Sequence, residues 1–135
     1  MVKLIIGIKG TGKTKTLISM VESALASTSG NVVVLEKGEQ LRFDIKYEAR
    51  LVNTDEYYIN DAQSLYGFIA GILASNHDVT DLFVDSTMKI CNQDVAALEK
   101  LVEELDLLTV KKDVKIVMTV SMPEEDAGDL LKKYL

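Results

Sequence analysis

Apolar residues fall along this chain in short blocks whose period changes from block to block. Lys3 to Ile8 is a compact apolar run bounded by Gly7 and Gly10, which predicts a buried strand. From Thr14 to Ala26 the residues Leu17, Ile18, Val21 and Leu25 share one face of a helix. Ser29-Gly30-Asn31 closes that helix in a turn. Asn31 to Glu36 is apolar and β-branched, a second expected strand. Asn60 to Asn76 carries a helical stripe of Ala62, Leu65, Ile69, Ile72 and Leu73, with Asn60 and Gln63 as its expected capping box. Asp81 to Asp85 predicts a third strand, Gln93 to Leu107 an amphipathic helix, and Val114 to Val120 a fourth strand. Ser121 with Glu124 is expected to cap a last helix, with Pro123 in its first turn. Lys37 to Ile59 has a mixed pattern, from which Arg42 to Tyr47 and Arg50 to Asn53 are expected to form a short hairpin.

Strands that alternate with helices predict a mainly parallel sheet covered by helices on both faces, the three-layer α/β/α class. Residues 1–135 are expected to form a single domain. Ligands on such sheets bind at the carboxyl ends of the strands. Here those ends lie just after Ile6, Leu35, Val84 and Val120.

Composition narrows the choices. The formal net charge is −6, which argues against a general DNA-binding surface but leaves room for a local basic pocket. One cysteine, Cys91, excludes an intramolecular disulfide and a cysteine-rich zinc site, and its simplest reading is a small buried apolar residue. Met1 to Ile8 is too short for a signal peptide, and no apolar stretch reaches membrane-helix length. A cytoplasmic protein is expected.

The chemistry concentrates at Gly7-Ile8-Lys9-Gly10-Thr11-Gly12-Lys13-Thr14, which fits GxxxxGK[ST]. The glycines allow the loop to wrap, and the wrap aims successive N–H groups inward as an anion nest. The start of the following helix adds its positive end. Lys13 is placed to reach β- and γ-phosphates, and the Thr14 hydroxyl to ligate Mg²⁺. The pattern arises by chance in roughly one chain in two hundred of this length at ordinary residue frequencies. Gly7, Lys9, Gly10, Thr11, Gly12, Lys13, Thr14 and Lys15 are the expected nucleotide-binding set, with ATP and Mg²⁺ as ligands. Within that set Lys9 reads most simply as a solvated loop residue.

Leu82-Phe83-Val84-Asp85 ends an apolar run in an acid, the expected second anchor of the Mg²⁺ beside Thr14. Ser86 follows, where many ATP-hydrolysing proteins of this kind have a water-activating Glu. The base is therefore sought at Glu36, which ends the second strand, with Glu39 as runner-up; Lys13 and Glu36 form the expected catalytic pair. Thr119 and Ser121 are candidates to sense a γ-phosphate. Arg42 and Arg50, the only arginines, read as surface charges with an arginine-finger role as the alternative. His77 is assigned no role.

Taken together, "GIKGTGKT", "VVVLEKGE", "LFVDS" and "VKIVMTVS" resemble the P-loop NTPases, most closely the RecA/KaiC-like branch. The resemblance implies an ATPase, a Glu base after the second strand, a Ser after the strand-ending Asp, and a fourth strand lying between the first and third. One helix after the fourth strand leaves little room for motor function on DNA. Three readings follow. The first is slow or partner-activated ATP hydrolysis, by a homo-oligomer or with another protein as partner. The second is a non-hydrolysing, nucleotide-dependent switch or interaction module. The third is a small-molecule kinase, which two arginines disfavour. The absence of an Asn/Thr-Lys-x-Asp string favours adenine over guanine.

Overall fold

A computed structural model describes residues 1–135. Its regular elements are β1 (Val2–Gly7), α1 (Lys13–Ser27), β2 (Asn31–Glu36), β3 (Arg50–Asn53), α2 (Ala62–Ser75), β4 (Val79–Asp85), a one-turn α3 (Thr87–Ile90), α4 (Val95–Thr109), β5 (Lys115–Ser121) and a one-turn α5 (Asp129–Lys132). Two 3₁₀ turns, Thr54–Tyr57 and Glu124–Asp126, link the rest. All strand pairs are parallel, in the order β1-β5-β4-β2-β3. The expected fourth strand, β5, thus lies between β1 and β4.

The middle stretches of β1, β2, β4 and β5 are mainly apolar, as a sheet covered on both faces requires. Val32, Val34, Phe83 and Val117 pack with Leu17 and Val21 of α1. On the opposite face Val33, Leu35, Leu82, Val84, Ile116 and Met118 pack with Leu65 and Ile69 of α2 and with Leu98, Leu101 and Leu105 of α4. Alternate residues of β2 and β4 therefore root the two layers. No helix is long and apolar enough to cross a membrane.

Three local expectations are corrected. Arg42 to Tyr47 is not a strand, and no hairpin forms. The chain turns at Gln40–Asp44, with the N–H groups of Asp44 and Ile45 donating to the Leu41 carbonyl. Leu41, Ile45 and Ala49 recur every four residues and are buried against α1, so this segment follows a helical spacing without a full helix. Arg50–Asn53 is a strand, but it pairs parallel with β2.

The capping box of α2 is Asp61 with Ser64, not Asn60 with Gln63. The Ser64 N–H donates to Asp61 Oδ1 at 2.7 Å, and the Asp61 N–H donates to Ser64 Oγ at 3.3 Å. Ser121 caps no helix. It ends β5 opposite Gly7, and Pro123 (φ −58°, ψ 135°) keeps the chain extended before the 3₁₀ turn, so the last helix shrinks to α5. Cys91 is buried beside α3, and burial pushes its thiol up to about 11, so at neutral pH it behaves as the expected apolar residue.

Candidate functional site

Parallel pairing sets Gly7 beside Ser121 and Glu36 beside Asp85 at the carboxyl end of the sheet. The Gly7–Thr14 loop crosses this end between β1 and α1. Gly12 is the first flanking residue of α1, at φ +84°, and no side chain caps the helix. The first N–H groups of α1 thus lack side-chain acceptors and present the positive end of the helix dipole. Inside the loop, Thr11 Oγ1 and Lys13 Nζ both donate to the Ile8 carbonyl, at 2.7 and 2.8 Å. A Cβ at Gly7 would meet Thr11 Oγ1 at 2.6 Å, so a side chain there would displace the Thr11 hydroxyl.

Across the cleft, Asp85 is buried at the end of β4, 7 % exposed. Thr119 Oγ1 of β5 donates to Asp85 Oδ1 and accepts the Ser86 N–H at 3.2 Å. The Thr14 hydroxyl faces both Asp85 oxygens, at 3.4 and 3.3 Å. A buried carboxylate is therefore oriented by one hydroxyl from behind and met by a second, exposed hydroxyl from the loop. Both candidate phosphate sensors line the cleft; Thr119 is buried and engaged in holding Asp85, whereas Ser121 is exposed.

Glu36 is 1 % exposed. Its oxygens accept the N–H groups of Gln40 at 2.9 Å and of Leu41 at 3.1 Å. Burial raises its carboxyl above the usual carboxylate range; the two N–H bonds oppose this, and the neighbouring charges of Asp85 and Glu39 add to it. Two buried carboxylates side by side are thus satisfied by different partners, Glu36 by backbone and Asp85 by hydroxyls.

The loop and the strand ends enclose a cleft of about 490 Å³. Lys9, Gly10, Gly12, Lys13 and Thr14 line one side; Asp85, Ser86, Met88, Lys89 and Gln93 line another; Gln40, Thr119 and Ser121 complete the wall. Of the expected set, Gly7 and Thr11 line a groove on the other side of the loop, which Lys13 shares. Lys15 is exposed on the first turn of α1 and does not line either. Glu36 and Glu39 do not line the cleft, so Asp85 is its only carboxylate. Arg42 lies against Glu39 and over the Phe43 ring, and with Arg50 it lines a separate groove beside β3. His77 is exposed in the turn after α2.

Sequence reasoning missed Gln40, Lys89 and Gln93. For Lys89 the sequence offers only that it is the one charge in the run Ser86 to Cys91, which by itself does not place it at the cleft.

The donors near Thr14 are one hydroxyl and one carboxylate, and no cluster of three metal-binding side chains exists. Such a set does not make a protein cage. It suits a hard cation that keeps water and shares a phosphate oxygen, the coordination Mg²⁺ prefers. The wall, rich in lysine, glycine and hydroxyl groups, suits an anionic ligand. Comparison with protein-family models and with curated proteins finds no match for this chain.

Proposed function

We propose that this protein binds ATP with Mg²⁺ in the cleft between the Gly7–Thr14 loop and Asp85, and hydrolyses it slowly or only with an activating partner. The observation that carries this reading is the meeting of the Thr14 hydroxyl with the Asp85 carboxylate beside the uncapped start of α1. Backbone N–H groups near Gly10, Gly12 and Lys13 are assigned to the phosphate oxygens. Lys13 gives up the Ile8 carbonyl to meet phosphate charge. Thr14 and Asp85 would hold the cation, which would supply charge neutralisation to the phosphates. Thr119 fixes the rotamer of Asp85. The β1-β5-β4 order supports the RecA/KaiC-like resemblance. Adenine is proposed on the sequence ground already given.

Slow turnover follows from the base. Glu36 remains the nearest second carboxylate, adjacent to Asp85 in register. To act on water it must release the Gln40 and Leu41 N–H groups. Positioning and charge stabilisation carry most of such a reaction, so a site with an engaged base is slow until a partner rearranges it.

The switch reading has its own support. Gln40 lines the cleft and its N–H is held by Glu36, so the segment after β2 is placed to meet a ligand bound there. A ligand that displaces Gln40 shifts that segment toward a second arrangement.

The test is thermal unfolding of the purified protein with Mg²⁺ and ATP, ADP, GTP or no nucleotide, beside Lys13→Ala. A ligand at 100 times its Kd adds about 2.7 kcal/mol. The expected result is a rise with ATP and ADP that Lys13→Ala abolishes. Equal melting in every condition overturns the proposal.

A further inference from the structure

We infer that Lys89 reads the terminal phosphate of the bound triphosphate and so sets the preference for ATP over ADP, an inference that rests on the nucleotide reading above. Three of the four non-glycine residues with positive φ, Ser86, Asn92 and Gln93, bracket α3. L-residues adopt that region reluctantly, and such strain persists only where surroundings over-determine it. The turn is held at several points. The Ser86 N–H donates to Thr119 Oγ1 at 3.2 Å, the Gln93 N–H to the Met88 carbonyl at 2.8 Å, and Asn92 Nδ2 to the Asn60 carbonyl at 2.7 Å. Thr87, Met88, Ile90 and Cys91 are buried, and Lys89 alone is exposed among them.

The outcome of this construction is one ammonium group delivered to the cleft wall. Lys89 forms no salt bridge; the ion pairs of this chain are Lys37 with Asp55 and Arg42 with Glu39. Topology supplies the direction. Lys13 reaches the cleft from the β1 side and Lys89 from the β4 side, with β5 between them. A phosphate chain seated on the loop and crossing the end of β5 points its terminal group at α3. A diphosphate is one group shorter and does not extend to that side.

The experiment is calorimetric titration of MgATP and MgADP into wild type, Lys89→Ala, Lys89→Arg and Lys13→Ala. Lys89 is exposed, so unliganded melting is expected to match wild type. A charge-assisted hydrogen bond is worth at least about a tenfold change in Kd. Lys89→Ala is expected to weaken ATP by about that factor, to leave ADP within about twofold, and to be partly restored in Lys89→Arg. Lys13→Ala is expected to weaken both nucleotides. If Lys89→Ala leaves the ratio of ATP to ADP affinity unchanged, Lys89 is a solvated charge and this inference falls while nucleotide binding stands. If wild type binds neither nucleotide, both readings fall together.

Discussion

Glu36 and Asp85 stand side by side in register at the carboxyl ends of β2 and β4, both nearly removed from solvent. Two carboxylates so placed repel, and the charge of Asp85 helps raise the Glu36 carboxyl. A fold tolerates this arrangement when each charge has its own donors, or when a cation joins them. Here the donors are the Gln40 and Leu41 N–H groups for Glu36 and the Thr119 hydroxyl for Asp85.

Asp85→Asn separates these contributions. The amide oxygen can still accept the Thr119 hydroxyl, while the repulsion on Glu36 disappears. Without nucleotide the variant is expected to melt no lower than wild type. With Mg²⁺ and ATP the stabilisation expected of wild type should be mostly lost, because the proposed cation site loses its one carboxylate. Calorimetric melts of both proteins, with and without MgATP, check this; full retention of the MgATP gain refutes the role given to Asp85.

Glu36→Gln tests the neighbouring acid by pH. The native carboxyl is raised from the ordinary 4.5, so the folded state binds more protons than the unfolded state just above that pH. The stability this group contributes is therefore greatest below 4.5 and declines as pH rises through its native value. A glutamine does not titrate. The stability of wild type minus that of Glu36→Gln is expected to fall as pH rises from about 4 toward 7. Turnover is read on the same samples: loss of hydrolysis with unchanged ATP affinity identifies a base, and a joint change in both identifies a residue that positions Gln40.

How far the sequence carried these residues depends on the range of the force involved. The Gly7–Thr14 loop, Asp85 and the buried strands were legible because each rests on a local pattern: glycine spacing, an apolar run, an acid at its end. The parallel partner of β3 was not, because Arg50–Asn53 is only four residues long and pairs with β2 across an intervening turn. The segment Leu41 to Ala49 misled because its four-residue spacing answers to α1 and not to its own backbone. The capping box was misplaced by one residue because Asn60 and Asp61 are both good caps, and the choice is made by Ser64 and by Asn92 holding the Asn60 carbonyl. Lys89 and Gln93 escaped notice because strain at Ser86, Asn92 and Gln93 is a property of the folded chain alone.

The loop glycines are expected to fail for different reasons. At Gly12 a Cβ meets nothing within 4 Å, but φ is +84°. Gly12→Ala should therefore cost about 1–2 kcal/mol of backbone strain. At Gly7 the obstacle is Thr11 Oγ1, so Gly7→Ala is expected to be partly rescued by Thr11→Ala, whereas Gly12→Ala is not. Urea unfolding of the two single variants and of each combined with Thr11→Ala checks the contrast; equal rescue of both would contradict the loop geometry.

Leu41 joins the core to the site. Its side chain is 2 % exposed against α1, and its N–H is held by Glu36. Leu41→Ala removes buried methyl groups beside Leu17 and Val21, a change that costs about 2–5 kcal/mol in a packed core. The same change loosens the turn that carries Gln40 to the cleft wall. Faster amide exchange is expected at Gln40 to Ile45, with little change in the loop from Gly7 to Thr14, because the latter is anchored through β1 and α1. ATP affinity is expected to fall only modestly. Exchange measured with and without MgATP decides the matter: if nucleotide restores protection at Gln40 in wild type and not in Leu41→Ala, the segment responds to the ligand through this contact. If protection there is the same with and without nucleotide in both proteins, the segment is scaffold, and the switch reading is excluded.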